Sequence, residues 1–436
     1  MLAALALFPL VIPALAATTT GAFDTLSFNV AGLPAILNSN DVPGDKTTNT
    51  ASIGKYLASY DFSLIHVQED FNYHATLYAN DNHPYRTATS GGVPFGSGLN
   101  TLSNFNWTDF TRVKWSTCSD ASGSDCLTPK GFTFMRVHVS EGVWVDAYNL
   151  HSDAGTEPAD LVARASNLQQ VSAYISTYST GNPVIVFGDT NSRYTRVGDV
   201  ATVFNTANGM TDAWVQLAKG GVAPVSGSAD LVCSNPSPTT DCEIVDKLWY
   251  RGSPAVALTA TKFQYAGSMF LQADGNVLSD HDPILVDFSW SLGTKLRVSD
   301  YFGGDGGSYF TDLQTVDGIS SPTVSSITLR GGERLDSVSI TLSSAQTFTH
   351  GGTGGTATTL KLNSGEKVTS ATLCQGFKTS ERLFYLQLTT SSGRSVAAGT
   401  MTNDCVVKTA DSGWSIVGFL GKSGDAVDRL GFVYSK

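Results

Sequence analysis

Residues 183–187, PVIVF, form an unbroken apolar run that stops at Gly188-Asp189. A run this short, with no polar alternation, reads as a strand buried on both faces. Such a strand needs a covering layer on each side. The neighbouring sequence supplies candidates. Segments 25–30, 61–67, 98–103, 132–139, 143–150 and 247–250 read as further strands. Segment 51–60 is helix-like, and 158–178 has helical spacing with Leu161, Val162, Ala165, Leu168, Val171 and Ile175 on one face. Strands separated by a few helices predict a two-sheet, layered α/β unit rather than one parallel sheet.

That pattern ends near residue 290. Beyond it helix signals vanish, and short alternating strands such as 324–329 and 338–342 are punctuated by glycine pairs at 303–304, 306–307, 331–332, 351–352 and 354–355. This predicts an all-β second domain. A chain of 436 residues also exceeds one ordinary core. The expected division is 1–17 as a signal peptide, 18–290, a linker at 291–299, and 300–436.

The first 17 residues are apolar, too short to span a bilayer, and carry an A-x-A pattern at Ala14-Leu15-Ala16, although no positive side chain precedes the run. Secretion is therefore expected. Six cysteines agree with it, and proximity in sequence pairs Cys118 with Cys126, Cys233 with Cys242 and Cys374 with Cys405. No C-x-x-C occurs, which argues against a zinc or thiol-redox centre. Asn106-Trp107-Thr108 is a glycosylation acceptor if the chain is secreted. Residues 18–290 hold 14 Lys and Arg against 26 Asp and Glu, whereas 291–436 hold 13 against 12. An acidic first domain offers no steering toward polyanions, so nucleic acid is the less expected partner.

Polar residues stand at the ends of the apolar strands: Asn29, Glu69, His151, Asp189 with Asn191, Asp246, and Asp280 with His281. Taken singly, each has a structural reading as a turn, a surface acid or a local ion pair. In a layered α/β fold, groups at the carboxyl ends of strands converge in one crevice. A histidine between carboxylates there is a candidate base or phosphate-contacting acid. Asp282 reads as a turn residue before Pro283.

In order, Ser27-Phe28-Asn29-Val30, Val67-Gln68-Glu69, Asn149-Leu150-His151, Phe187-Gly188-Asp189-Thr190-Asn191, Val245-Asp246-Lys247-Leu248 and Leu278-Ser279-Asp280-His281-Asp282-Pro283 resemble the endonuclease/exonuclease/phosphatase superfamily. The resemblance implies a deoxyribonuclease I-like α/β four-layer sandwich that cleaves phosphoesters with Mg2+, or another divalent cation such as Mn2+. It implies that Glu69 and Asn29 hold the metal, with Asp280 assisting the metal or His281. His281 would contact phosphate or activate water, oriented by Asp246. Asp189 would align or deprotonate the water, and Asn191 and His151 would donate to phosphate oxygens. Whether Asp189 or His281 is the base stays open. Cys126-Leu127-Thr128-Pro129-Lys130-Gly131-Phe132 is similar to bacterial-type neutral sphingomyelinases, which implies a lipid headgroup at a membrane as substrate and a phosphate contact by Lys130. Arg193, close after Asn191, is a second candidate phosphate contact. Val93-Pro94-Phe95 and Phe105-Asn106-Trp107 are small apolar candidates for membrane contact. The alternatives are a secreted nuclease of the same fold, or a glycan-binding protein with an inactive phosphoesterase-like domain.

Tyr301-Phe302-Gly303-Gly304-Asp305-Gly306-Gly307 lacks the Lys-Ser/Thr of a phosphate loop. With the closing Gly424-Asp425-Ala426-Val427-Asp428, it resembles jacalin-type lectins, which are three-sheet β-prisms. The resemblance implies glycan binding by the carboxylates of Asp425 and Asp428 and by backbone N–H groups of Gly306, Gly307 and Ala426. Loop 350–356 is a candidate second contact.

Overall fold

A computed structural model describes residues 18–436. The expected signal peptide lies outside the described residues. All three expected disulfides are formed, Cys118–Cys126, Cys233–Cys242 and Cys374–Cys405. No described helix is long and apolar enough to cross a membrane.

The first domain contains two six-stranded sheets. One runs in the order Val256–Tyr265, Ile284–Leu292, Thr20–Asn29, Leu64–Gln68, Asn100–Ser103, Tyr85–Arg86. The other runs Trp107–Lys114, Gly131–Ser140, Val143–His151, Val184–Asp189, Asp246–Arg251, Thr211–Asp212. The apolar strand Val184–Asp189 explains the layering. Ile185 and Phe187 join Met135, Val145, Leu248 and Leu64 between the two sheets. Val184 and Val186 face the other way, against Leu168, Val171 and Ile175 of helix Pro158–Tyr178. The first sheet is covered likewise, by Ile53 and Leu57 of helix Lys46–Tyr60 and Leu77 of helix His74–Asn80. The result is a four-layer α/β/β/α sandwich. Truncating Phe187, which is fully buried, to Ala is worth about 3–5 kcal/mol of stability.

Helix Pro158–Tyr178 departs from its expected face at one end. Val162 is exposed, and Asp160, Ala163, Arg164 and Asn167 are buried instead. Arg164 turns inward because it donates to Asp199 and to the carbonyls of Asp153 and Gly155. A polar network therefore takes the place that spacing alone assigns to apolar side chains. Helix Lys46–Tyr60 starts five residues earlier than expected, where the Asp45 carboxylate accepts from the Thr48 N–H at 2.9 Å.

The second domain has three antiparallel sheets around a core that includes Ile327, Val338, Leu373, Leu386, Val417 and Phe432. Leu296–Val298 already pairs with Val427–Ser435, so the second domain's sheet begins inside the segment expected to be linker. A five-residue helix, Leu313–Asp317, is the exception to the all-β expectation.

The two domains share a polar seam. Asp109 faces Arg136 of its own domain at 3.0 Å and Lys422 and Arg429 of the other at 3.0 and 3.3 Å. Asp300 accepts from the Gly142 N–H and the Trp144 indole. Burial opposes ionisation of Asp109, but the three cations outweigh it and hold its carboxyl below the ordinary aspartate range. Asp109→Asn leaves Arg429 and Lys422 partly uncompensated. It should cost about 3 kcal/mol in denaturant unfolding and speed proteolysis at 293–295. The advantage of wild type is full above the ordinary value of 3.8 and disappears as pH falls through the lower folded value. Equal stability of the two proteins at neutral pH would contradict this.

Candidate active site and glycan loops

Strand register brings the polar residues together. Asn29 ends its strand beside Gln68, and Glu69 follows. His151 ends its strand beside Asp189 in parallel pairing, and Asp246 opens the next strand opposite Asp189 in antiparallel pairing. Ile284 pairs with Ser27, which delivers Ser279–His281 to the same end.

The Asn29 carboxamide joins the sheets: its Nδ2 donates to Glu69 Oε1 at 3.2 Å and to Asp189 Oδ2 at 3.1 Å. Its Oδ1 is held by the Ala31 N–H. Beneath it, Gln68 Nε2 donates across the sheets to Asn149 Oδ1 at 2.8 Å, and Asn149 Nδ2 donates back to the Val67 carbonyl. Asp189 Oδ1 accepts the Asn191 N–H at 2.9 Å. Asp189 Oδ2 lies 3.3 Å from His151 Nε2 and 3.7 Å from His281 Nε2. His281 Nδ1 is 2.7 Å from Asp246 Oδ2. Ser279, buried, donates to the Asn29 carbonyl and accepts from the His281 N–H, fixing that loop. Glu69 and Asn191 occupy left-handed backbone, φ +55° and +50°. Asn tolerates that region, but Glu is strained in it, as is common where a site dictates side-chain direction.

Charge states follow from these contacts. Burial alone would depress His281, but Asp246 and Asp189 outweigh it and raise the imidazole well above its ordinary value. Burial, then the charges of Lys130 and His281, push His151 the other way, so its ring is neutral. Burial raises the Asp189 carboxyl, opposed by His281 and reinforced by Asp246. Burial also raises Glu69, against Lys130 and His281.

Glu69, His151, Asp189, Asn191 and His281 form the floor of a cleft of about 510 Å³, with Asn29 and Asp246 behind them. Lys130 lines it, 3.2 Å from His151 Nε2 and ion-paired with Asp125. Asp280 sits exposed at the rim, where it accepts from Asn40 Nδ2 at 3.0 Å. Arg193 lies outside the lining; its backbone N–H donates to Asp199, within the network that also holds Arg196 and Arg164. Asp282, read as a turn residue before Pro283, is a buried structural carboxylate. Its two oxygens accept the Gly267 and Ser237 N–H groups at 2.7 and 2.6 Å. Lys46 carried no signal in the sequence, yet its ammonium binds the carbonyls of Ala31, Leu33 and Asn38 and Asn40 Oδ1, pinning the loop over the cleft.

Oxygen donors that suit a hard cation are present. Glu69 Oε2 and Asp246 Oδ1 are buried without a hydrogen-bond partner among the described residues. Asp189, Asp246 and His281 also lie close enough to share an ion. His281 Nδ1 is already engaged by Asp246, so the orphaned Glu69 oxygen beside Asn29 and Asp189 is the better-prepared ligand.

The first domain matches the description Endonuclease/Exonuclease/phosphatase family 2 over residues 36–235, and residues 299–433 match Jacalin-like lectin domain. The chain joins an endonuclease/exonuclease/phosphatase family domain to a jacalin-like lectin domain. It is 37% identical over 280 residues to a sphingomyelinase of Mycobacterium tuberculosis, and equally to one of Mycobacterium bovis, covering 63% of this chain. The matched region spans 54%, about half, of those relatives. Sphingomyelinase C from Streptomyces griseocarneus superposes with TM-score 0.42 and 17% identity over 61% of this chain and 99% of its own. Malaysian banana lectin gives 0.27 and 24% over 31% of this chain and 96% of its own.

In the jacalin-like domain, Gly306 and Gly307 press on Asp428: a Cβ on either would lie 2.8 Å from a carboxylate oxygen. Gly307 also has φ +72°, so both reasons require glycine there. The Asp428 carboxylate is raised by burial and has no hydrogen-bond partner among the described residues. Asp425 is exposed and Ala426 buried. Gly354 and Gly355 repeat the arrangement against Asp336, which follows Gly332 as Asp428 follows Gly424. There Arg334 Nε already occupies the carboxylate at 3.0 Å.

With chelator present, the His281 imidazole should titrate well above 6.5 by NMR. Asp246→Asn should lower it by roughly one to three units; an unchanged titration would break the His281–Asp246 assignment.

Proposed function

We propose that the first domain is a secreted, divalent-cation-dependent phosphodiesterase acting on a phospholipid or sphingolipid headgroup at a membrane surface, and that the jacalin-like domain tethers it to glycans. The observation that carries the lipid reading is the rim of the cleft. Ile36, Phe95, Leu127 and Leu37 are 94%, 82%, 64% and 63% exposed. Leu37, Val93 and Leu127 line the cleft itself. Exposed apolar side chains around a charged floor suit a lipid surface and do not suit a polyanion. Of the two apolar segments singled out in the sequence, only Val93-Pro94-Phe95 belongs here. Phe105 and Trp107 pack against the core, Phe105 edge-on to Phe23 at 6.1 Å. The acidic balance of the domain favours lipid over nucleic acid for the same electrostatic reason. The 37% identity to sphingomyelinases and the Lys130-Gly131 segment support a choline-bearing sphingolipid as substrate. Three disulfides fit an extracellular setting.

A divalent ion, magnesium by the oxygen-donor chemistry, would be held by Glu69 with Asn29 and Asp189 nearby, and would neutralise phosphate charge. The other roles belong to side chains. His281, kept protonated by Asp246, donates from Nε2 to a phosphate or leaving-group oxygen. Asp189, its carboxylate made more basic by burial, accepts the proton of the attacking water. Lys130 and the Asn191 carboxamide hold the phosphate oxygens, with neutral His151 beside them. Asp280 steadies the roof loop through Asn40.

Glu69→Gln or His281→Ala should lower hydrolysis by at least roughly 10²-fold without unfolding. Ile36→Ser with Phe95→Ser should lower release of phosphocholine from sphingomyelin vesicles by more than roughly tenfold, with little change on a soluble phosphodiester. Equal losses on both substrates would remove the rim from the argument.

A further inference from the structure

A second cleft, of about 460 Å³, lies at the junction of the two domains. Gly307 marks one end of it, the same residue that presses on Asp428 in the glycan loop. One wall is the strand Ser308–Thr311 of the jacalin-like domain. The other comes from the phosphoesterase domain, through Phe110, Tyr174 and Tyr178. The two tyrosine rings are 4.1 Å apart, and Tyr178 is exposed. The walls are fixed in place: Tyr309 exchanges hydrogen bonds with Asn182 at 3.1 and 3.2 Å, and the Arg136 guanidinium lies 3.9 Å from the Tyr309 ring. Asp305, exposed, adds a carboxylate acceptor, and Asp109 and Lys422 line the cleft as an ion pair at 3.0 Å.

Sugars combine apolar C–H faces with hydroxyl groups. Aromatic faces cover the first and carboxylates accept from the second, and two-χ tyrosines do so at low entropic cost. We propose that a glycan chain, bound by one sugar at Gly306, Gly307 and Asp428, continues along this cleft, so that the phosphoesterase domain supplies the aromatic wall that the glycan loop itself lacks. This rests on the reading of 424–428 as a sugar loop. It makes the site selective for oligosaccharides over single sugars. It also makes the glycan a bridge between the domains.

The test is calorimetric titration of the full chain with a methyl α-glycoside and the matching α-linked trisaccharide, in mannose and in galactose forms. Wild type should prefer one trisaccharide by roughly tenfold or more, the gain from one or two stacked rings. Tyr178→Ala, and Ser308→Trp filling the cleft from the other wall, should each erase that preference. Both should leave the monosaccharide affinity and the hydrolysis of a soluble phosphodiester unchanged, which also shows that the variants fold. Unchanged trisaccharide affinity in both variants, or no trisaccharide preference in wild type, overturns the cleft and leaves the sugar loop standing. Undiminished binding by Asp428→Ala, or no binding of any probe by wild type, overturns the sugar loop and the cleft with it.

Discussion

The Asn29 carboxamide touches a carboxylate from each half of the sandwich, Glu69 from its own sheet and Asp189 from the other. Two buried acids close to one another repel unless something lies between them. Here a neutral donor does. The separation of the two sheets is thereby tied to the geometry of the site. The Gln68–Asn149 bridge beneath it repeats the device one residue deeper. His281 and Asp246 close the floor from the same end, held by Ser279. The site is therefore a property of strand register: shifting Val184–Asp189 by one residue would turn Asp189 to the opposite face of its sheet.

Much of this was legible in the sequence because strand ends and chemistry coincide. The apolar run at 183–187 announced a strand covered on both faces, and the polar residues at strand ends, closing some strands and leading into others, marked the crevice. What was illegible depends on contacts distant in sequence. Val162 fits the helical stripe yet faces solvent, because Arg164 finds Asp199 and two carbonyls that no spacing rule predicts. Asp282 looked like a turn residue until Ser237 and Gly267 arrived to bind it. Lys46 opens a helix, but its ammonium turns back to loop carbonyls that no spacing rule predicts, and the exposed Ile36 lies in a loop, where periodicity carries no information. Arg193 is near Asn191 in sequence, but its chain is drawn away by Asp199.

The second domain is not a passive appendage. Asp109 and Asp300 each anchor groups across the boundary, and the jacalin-like sheet begins within a few residues of the last strand of the sandwich. A seam built from buried ion pairs contributes orientation more than net stability. It places the Gly306–Gly307 loop against the first domain, so that the proposed glycan capture would be related to the direction in which the candidate cleft faces.

The central claim is that the sandwich cleaves a lipid phosphodiester with a bound divalent cation. Its most direct test is one assay of the full chain on sphingomyelin vesicles and on DNA in parallel, each with magnesium and with chelator. The expected result is phosphocholine release that chelator abolishes, with DNA left intact. Cleavage of DNA without release of phosphocholine, or lipid hydrolysis indifferent to chelator, would contradict it.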